Sequence, residues 1–268
     1  MKNEMKKLLF VTLSLALALS LTSCGGKKVE QVELYIFAAA SMTETMDEII
    51  ENYKTEAPNV TIIPTYDSSG TLLTQIQEGV ECDLFISAAQ KQMDALDEDN
   101  ALLEGTRLDL LENKVALAVP DGNPKGVVSF DQLAELLRAG DIFLAMGNSD
   151  VPVGQYTQKI FAYYELNEEA MASAGMLTYG SNVKEVTTQV SEATVDCGVI
   201  YATDAASANL TVVDTATAGM CGQVIYPAAV LGNSRHADET KAFLDYLQTD
   251  TCAQIFEGVG FSPIQRYK

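Results

Sequence analysis

The sequence predicts a two-domain α/β protein, and three observations lead there. The chain is 268 residues long and 47% hydrophobic, enough to bury two substantial cores. Short apolar, β-prone runs alternate with amphipathic helical patterns along most of it, which argues a mainly parallel sheet covered by helices. A third feature recurs four times: a strand ends in small or hydroxyl residues that open directly into a helix.

The first such corner is Leu34-Tyr35-Ile36-Phe37-Ala38-Ala39-Ala40-Ser41-Met42-Thr43-Glu44. An apolar strand delivers three alanines and Ser41, and Glu44 three residues on suggests a capping box. Met42, Met46, Ile49, Ile50 and Tyr53 then recur at helical spacing. The second corner follows the strand Val60–Tyr66, where Asp67-Ser68-Ser69-Gly70-Thr71 opens a helix through Leu72, Leu73 and Ile76 that stops at Gly79. The strand Cys82–Ser87 and a helix with Met93 and Leu96 come next.

Val115–Pro120 is continuously apolar and reads as a strand buried on both faces. The turn-rich stretch 121–126 follows, and the passage into a second domain falls near here. A helix from Phe130 to Arg138 and the strand Ile142–Met146 lead to the third corner, Val151-Pro152-Val153-Gly154, whose Pro and Gly mark a helix start. The strand Met176–Tyr179 leads to the fourth, Ser181-Asn182-Val183-Lys184. Asp196–Tyr201 is a buried strand ending on a tyrosine. The strand Val224–Val230 and helices over 239–248 and 252–256 take the chain back to complete the first domain.

A helix start offers backbone N–H groups without intrahelical partners and the positive end of a dipole, so each corner is either a plainly capped helix or part of an oxyanion site. The formal net charge of −20 argues against nucleic acid or an anionic membrane surface as partner. It also repels an anionic ligand at long range, so any attraction is local and short-ranged. No nucleophile elbow, Walker loop, zinc-protease motif or dinucleotide-binding glycine pattern occurs, and His236, the single His, sits in a polar turn. No His or Cys cluster has the spacing of a metal site. Asp67, Asp150 and Asp204 lie near the corners and keep a cation, sugar or hydrolase site open, although such residues commonly satisfy turn N–H groups.

Residues 1–23 read as an export signal: a basic head with Lys2, Lys6 and Lys7, then an apolar stretch too short to span a bilayer comfortably. Leu21-Thr22-Ser23-Cys24-Gly25 resembles the lipobox of bacterial lipoproteins, which implies cleavage before Cys24 and lipid on that residue. Residues 24–32 would then be a lipidated tether. Cys82, Cys197, Cys221 and Cys252 could pair in three ways, but their strand-like, small-residue contexts favour buried free thiols.

Taken together, Ala38-Ala39-Ala40-Ser41-Met42, Ser68-Ser69-Gly70-Thr71-Leu72, Asp83–Ala88, Val151-Pro152-Val153-Gly154 and Gly198-Val199-Ile200-Tyr201 resemble the bacterial molybdate-binding proteins, the extracytoplasmic receptors of molybdate ABC importers. The resemblance spans nearly the whole mature chain in order. It implies a type II periplasmic-binding-protein fold, with two α/β lobes joined by two crossover strands and the ligand cleft between them. Lobe 1 would be 33–113 plus 228–268, and lobe 2 would be 114–227. It implies that Ser41, Ser69 and Tyr201 bind a tetrahedral oxyanion through hydroxyls, and Val153 and Val183 through backbone N–H groups. Val153 stands where the family usually has Ala, and Gly70 where a third Ser is common.

The implied protein is a non-enzymatic, monomeric receptor, lipid-anchored outside the cell membrane. It would need no cofactor or free metal cation, would close on molybdate or tungstate, and would hand it to a membrane permease. Chemistry agrees: these dianions are unprotonated at neutral pH and need donors only, whereas phosphate keeps a proton and wants an acceptor. A sulfate or other oxyanion receptor of the same fold is the alternative. A secreted hydrolase would need a paired acid and base, and an amino-acid receptor a cation, of which only Lys184 stands near a corner.

Overall fold

The computed structural model describes residues 30–264. The expected signal over 1–23, Cys24 and most of the tether lie outside the described residues. From Val32 to Ile264 the chain forms one compact unit containing two α/β lobes, each built on its own sheet.

The first sheet has six strands in the order β11-β4-β10-β3-β1-β2. They are β1 (Val32–Ala39), β2 (Val60–Asp67), β3 (Leu84–Ile86), β4 (Leu108–Asn113), β10 (Val224–Val230) and β11 (Ser262–Pro263). The second has five in the order β7-β6-β8-β5-β9, drawn from β5 (Val115–Val119), β6 (Leu144–Gly147), β7 (Leu177–Gly180), β8 (Cys197–Tyr201) and β9 (Thr211–Thr215). Only Lys114 separates β4 from β5, so one crossing between the sheets is nearly a continuous strand. The chain returns between Thr215 and Val224.

The expected parallel pairing holds in part of each sheet. β1 runs parallel to β2 and β3, and β6 parallel to β7 and β8. β10 is antiparallel to β3 and β4, and β5 antiparallel to β8 and β9. The sheets are therefore mixed, because the segments that pass between lobes enter without the helical crossover that parallel pairing needs. β4 and β9 carry too many polar residues to stand out as strands before their pairing is seen.

Eleven α-helices are described: α1 (Thr43–Glu56), α2 (Ser69–Gln77), α3 (Gln90–Glu98), α4 (Phe130–Ala139), α5 (Pro152–Tyr163), α6 (Glu168–Ser173), α7 (Val183–Ser191), α8 (Ala202–Ser207), α9 (Ala218–Cys221), α10 (Ala237–Tyr246) and α11 (Asp250–Val259). α1 shows why they pack as they do. Thr45, Met46, Ile49, Ile50 and Tyr53 are its buried positions, spaced along one face, while Glu48, Glu51 and Asn52 face water. Tyr53 meets Phe243 of α10 edge to face with ring centroids 4.8 Å apart. All five residues of β5 are buried, each apolar side chain contributing on the order of 1.5–3 kcal/mol by leaving water. Cys82, Cys197, Cys221 and Cys252 are buried free thiols, and burial raises each of their pKa values, that of Cys252 to about 11.

In both sheets the carboxyl ends of the parallel strands are where helices begin. That is where an open α/β sheet places ligands.

Candidate oxyanion-binding cleft

β1 ends in the small residues Ala38, Ala39 and Ala40, all buried, and a single 3₁₀ turn over Ala40–Met42 precedes α1. The expected capping box does not form. Met42, with no side-chain cap, is the N-cap of α1. The Ser41 hydroxyl lies 2.8 Å from the Tyr226 hydroxyl instead, and the Glu44 carboxylate takes Lys184 Nζ at 2.7 and 2.8 Å. A tight turn ahead of the helix moves Ser41 one step out of register, so its side chain turns inward rather than over the helix end.

At the second corner Ser68 is the N-cap, and its hydroxyl accepts from Thr71 N–H at 3.1 Å. The first two N–H groups of α2, on Ser69 and Gly70, are left without intrahelical partners. Ser69 is fully buried, and its Oγ accepts the Ala88 N–H at 2.9 Å. With that lone pair occupied, its single proton is free for another acceptor.

The second lobe supplies the facing wall. Pro152 starts α5, followed by Val153 and Gly154. The loop before α5 folds back tightly: a Cβ on Gly154 would stand 2.1 Å from the Asn148 carbonyl oxygen. At α7 the N-cap Asn182 accepts the Glu185 N–H through Oδ1 at 3.1 Å, which leaves the Val183 and Lys184 N–H groups without intrahelical partners. Tyr201 ends β8, and its buried hydroxyl has no hydrogen-bond partner. Burial holds its pKa well above the usual tyrosine value, with Tyr226, Tyr156 and Asp204 adding to the shift, so it remains a proton donor.

Ser41, Ser69, Val153, Val183 and Tyr201 line one pocket. All five are buried, Ser41 most exposed at 6%. The pocket is small, leaving about 10 Å³ for the centre of a water-sized sphere, close to the least that holds one water. Among the described residues no Lys or Arg lines it. Its donors are hydroxyls and the N–H groups of helix starts, a set that suits a small anion with no proton of its own.

The three aspartates have separate fates. Asp67 lines the pocket, and its Oδ1 accepts from Ser68 N–H at 2.7 Å and from Asn182 Nδ2 at 3.5 Å across the cleft. Asp150 meets the other lobe through its backbone, its carbonyl oxygen lying 2.2 Å from where a Cβ on Gly70 would be. Asp204 is fully buried outside the pocket lining. Neither of its oxygens has a hydrogen-bond partner, but Lys184 Nζ stands 3.4 Å from Oδ1 as an ion pair. Burial pushes the Asp204 carboxyl up to about 6, Lys184 opposing and Glu44 reinforcing the shift. Lys184 therefore spends its charge on Asp204 and, across the cleft, on Glu44. His236 does not line the pocket.

Sequence reasoning missed Tyr226 and Asn113. Tyr226 is fully buried in β10, and its hydroxyl lies against Ser41 while also accepting from Asn113 Nδ2 at 3.2 Å. A tyrosine inside an otherwise apolar strand is a usable signal, since a buried hydroxyl needs a partner.

Two sheets joined by crossing strands, with a small donor-lined pocket at their strand ends, define a two-lobed solute-binding protein of the periplasmic-binding-protein fold. The chain belongs to the bacterial extracellular solute-binding protein family, whose sequence model matches residues 34–262. It is 33% identical over 254 residues to the molybdate-binding protein ModA of Escherichia coli, covering 91% of this chain and 95% of that one. It is 34% identical over 235 residues, 87% of each chain, to YvgL of Bacillus subtilis, provisionally described as an ABC transporter substrate-binding lipoprotein. Among solved structures, the periplasmic molybdate-binding protein of Azotobacter vinelandii superimposes with a TM-score of 0.75 at 17% identity, covering 87% of this chain and all of that one. That last likeness bears on the fold.

Proposed function

We propose that this chain binds molybdate, and tungstate with it, outside the cytoplasm and delivers it to the membrane permease of an ABC transporter. The observation that carries the reading is the pocket: five residues from four helix starts and a strand end converge there as neutral donors. Transferring a dianion out of water is costly unless its oxygens are hydrogen-bonded. Ser41 and Ser69 from the first lobe, with Val153, Val183 and Tyr201 from the second, offer such bonds from both sides.

Because each lobe holds part of the ligand, binding favours the arrangement in which the lobes meet and shifts a hinge equilibrium at the crossings. In this reading 33–113 plus 228–268 move as one body and 114–227 as the other, except that Val224–Pro227, paired with β4 in the first sheet, stay with the first body, and the return crossing lies between Thr215 and Val224. Lipid on Cys24 anchors a monomeric receptor to the cell membrane, and the closed form docks on the permease without catalysing a reaction. The pocket leaves no room for an amino acid or sugar, and the E. coli and Haemophilus influenzae relatives named as molybdate-binding support the choice of anion.

Isothermal calorimetry of the chain without residues 1–24 tests this reading against molybdate, tungstate, sulfate and phosphate. Tight one-to-one heat with the first two, lost in the Ser41→Ala, Ser69→Ala double variant, is the expected result. Heat with sulfate alone would transfer the site to a sulfate receptor. No heat with any of the four would overturn the oxyanion reading.

A further inference from the structure

We infer that Asn113 and Tyr226 are positioning residues that hold Ser41 as a hydrogen-bond donor to the ligand and so set the site's preference for unprotonated oxyanions. This inference rests on the oxyanion reading and goes beyond it to two residues outside the pocket lining.

The polarity can be followed bond by bond. Asn113 Oδ1 accepts the Lys114 N–H at 2.8 Å, which fixes the orientation of the amide. Its Nδ2 has two protons and two neighbours, Thr203 Oγ1 at 2.9 Å and Tyr226 Oη at 3.2 Å. Tyr226 Oη thus accepts from Asn113 and has one proton of its own to place. We assign that proton to the Ser41 Oγ, 2.8 Å away, the hydroxyl within hydrogen-bond distance. Ser41 then accepts from Tyr226, and its own proton is left for the pocket. Tyr226 stays protonated throughout, since burial, with Asp204 adding to it, holds its pKa well above the usual range.

The same device appears at Ser69, whose Oγ accepts from Ala88 N–H. Two hydroxyls just beyond the ends of the neighbouring strands β1 and β2 each accept from an inner donor and so have a proton to point outward. A hydroxyl left free could rotate and accept a proton from hydrogen phosphate; one already accepting is less able to. Asp67 is the one carboxylate in the lining, and its Oδ1 is engaged by Ser68 and Asn182.

Ser41, Tyr226, Asn113 and Thr203 are all buried, and Asn113 and Tyr226 belong to β4 and β10, neighbours at the crossing between lobes. The orientation of Ser41 is therefore tied to the strands about which the lobes would move.

A double-mutant cycle between Tyr226→Phe and Ser41→Ala, read by calorimetry with molybdate and phosphate, tests the inference. Phe keeps the ring and removes only the oxygen. A net hydrogen bond is worth about 0.5–1.5 kcal/mol, so Tyr226→Phe should weaken molybdate about 2- to 10-fold and lower the molybdate-to-phosphate affinity ratio. In the Ser41→Ala background the same change should do nothing further, because its effect passes through Ser41. Asn113→Asp is the second variant: a carboxylate accepts from Lys114, Thr203 and Tyr226 alike, turns the Tyr226 proton away from Ser41, and should lower the ratio further. Equal effects of Tyr226→Phe in both backgrounds, or an unchanged ratio in both Tyr226→Phe and Asn113→Asp, would overturn the inference while leaving the oxyanion reading standing. A wild-type chain that binds none of the anions overturns both.

Discussion

Replacing Gly70 by alanine separates folding from closure. Gly70 is the second residue of α2 and is absent from the positive-φ glycines, so alanine can adopt its backbone and stabilises a helix by roughly 0.5–1 kcal/mol over glycine. The obstacle is the other lobe. An added Cβ would stand 2.2 Å from the Asp150 carbonyl oxygen, 3.0 Å from its carbonyl carbon and 3.3 Å from its Cβ. The contacting atoms are mainly backbone, so rotating a side chain cannot relieve the clash, and one wall must retreat. Overpacking of this kind costs about 1–3 kcal/mol. In the proposed hinge reading the lobes meet on the ligand, so the penalty would fall on the liganded form and correspond to a loss in affinity of about 5- to 150-fold. Calorimetry with molybdate measures that loss. Thermal unfolding should show an unliganded protein at least as stable as wild type, with a smaller ligand-induced rise in Tm. A variant that binds as tightly as wild type would refute the argument, because the approach of Gly70 to Asp150 would then not belong to the bound state.

Three further outcomes follow from the electrostatics. The Asp204 pKa, raised from the ordinary carboxylate value of 3.8 to about 6, means the folded state holds the proton more tightly, so stability from this group is complete below about pH 4 and lost as pH rises through 6. The difference of about two units is on the order of 3 kcal/mol, and Asp204→Asn should flatten that slope and stabilise the protein at pH 7.5 in urea unfolding; an unchanged slope would exclude Asp204 as its source. Asp67→Asn keeps an acceptor for the Ser68 N–H while removing the pocket's negative charge, so dianion affinity by calorimetry should rise several-fold, about 1 kcal/mol at short range in a watery site, and an unchanged or weaker affinity would show that the Asp67 charge does not oppose the ligand. The net charge of −20 repels the free anion, so stopped-flow association with molybdate should speed up between about 0.01 and 0.15 M salt as the Debye length shortens from about 30 to 8 Å; a rate that falls with salt would point to a local positive field instead.

Local chemistry made most of the site legible. Helix starts announce themselves through short-range patterns: Pro152 and Gly154 mark α5, and the polar turns 67–71 and 181–182 mark α2 and α7, whose caps Ser68 and Asn182 the structure then identifies. The strands β1, β5 and β8 are apolar enough to be seen without partners. What could not be read was set by residues far apart in the chain. The Ser41–Glu44 pair has the spacing of a capping box, but Ser41 turned to Tyr226, 185 residues away, and Glu44 to Lys184, 140 away. A short-range motif predicts a tendency, and here two long-range partners outcompete it. β4 was missed for a related reason: Leu108–Asn113 mixes apolar and acidic residues, and becomes a strand because β10 and β11 pair with it on either side.

The position of Lys184 bears on how so acidic a protein would hold the proposed anion in a pocket with no cation in its described lining. Lys184 is the basic residue nearest the corners, and it could have supplied the charge directly. Instead Asp204 lies 3.4 Å from it on one side and Glu44 2.7 Å on the other, so two carboxylates outweigh one ammonium and the group has no positive charge left for the pocket. Attraction is left to oriented dipoles: the first N–H groups of α2, α5 and α7, and hydroxyls whose lone pairs are already occupied. Such donors are fixed in direction, whereas an ammonium would attract any anion of suitable size. A pocket built from dipoles rewards a ligand whose every oxygen is an acceptor and penalises one that brings its own proton. In the proposed reading, selectivity among oxyanions would originate in the direction of a few hydrogen bonds, with the long-range field of the molecule opposing every anion alike.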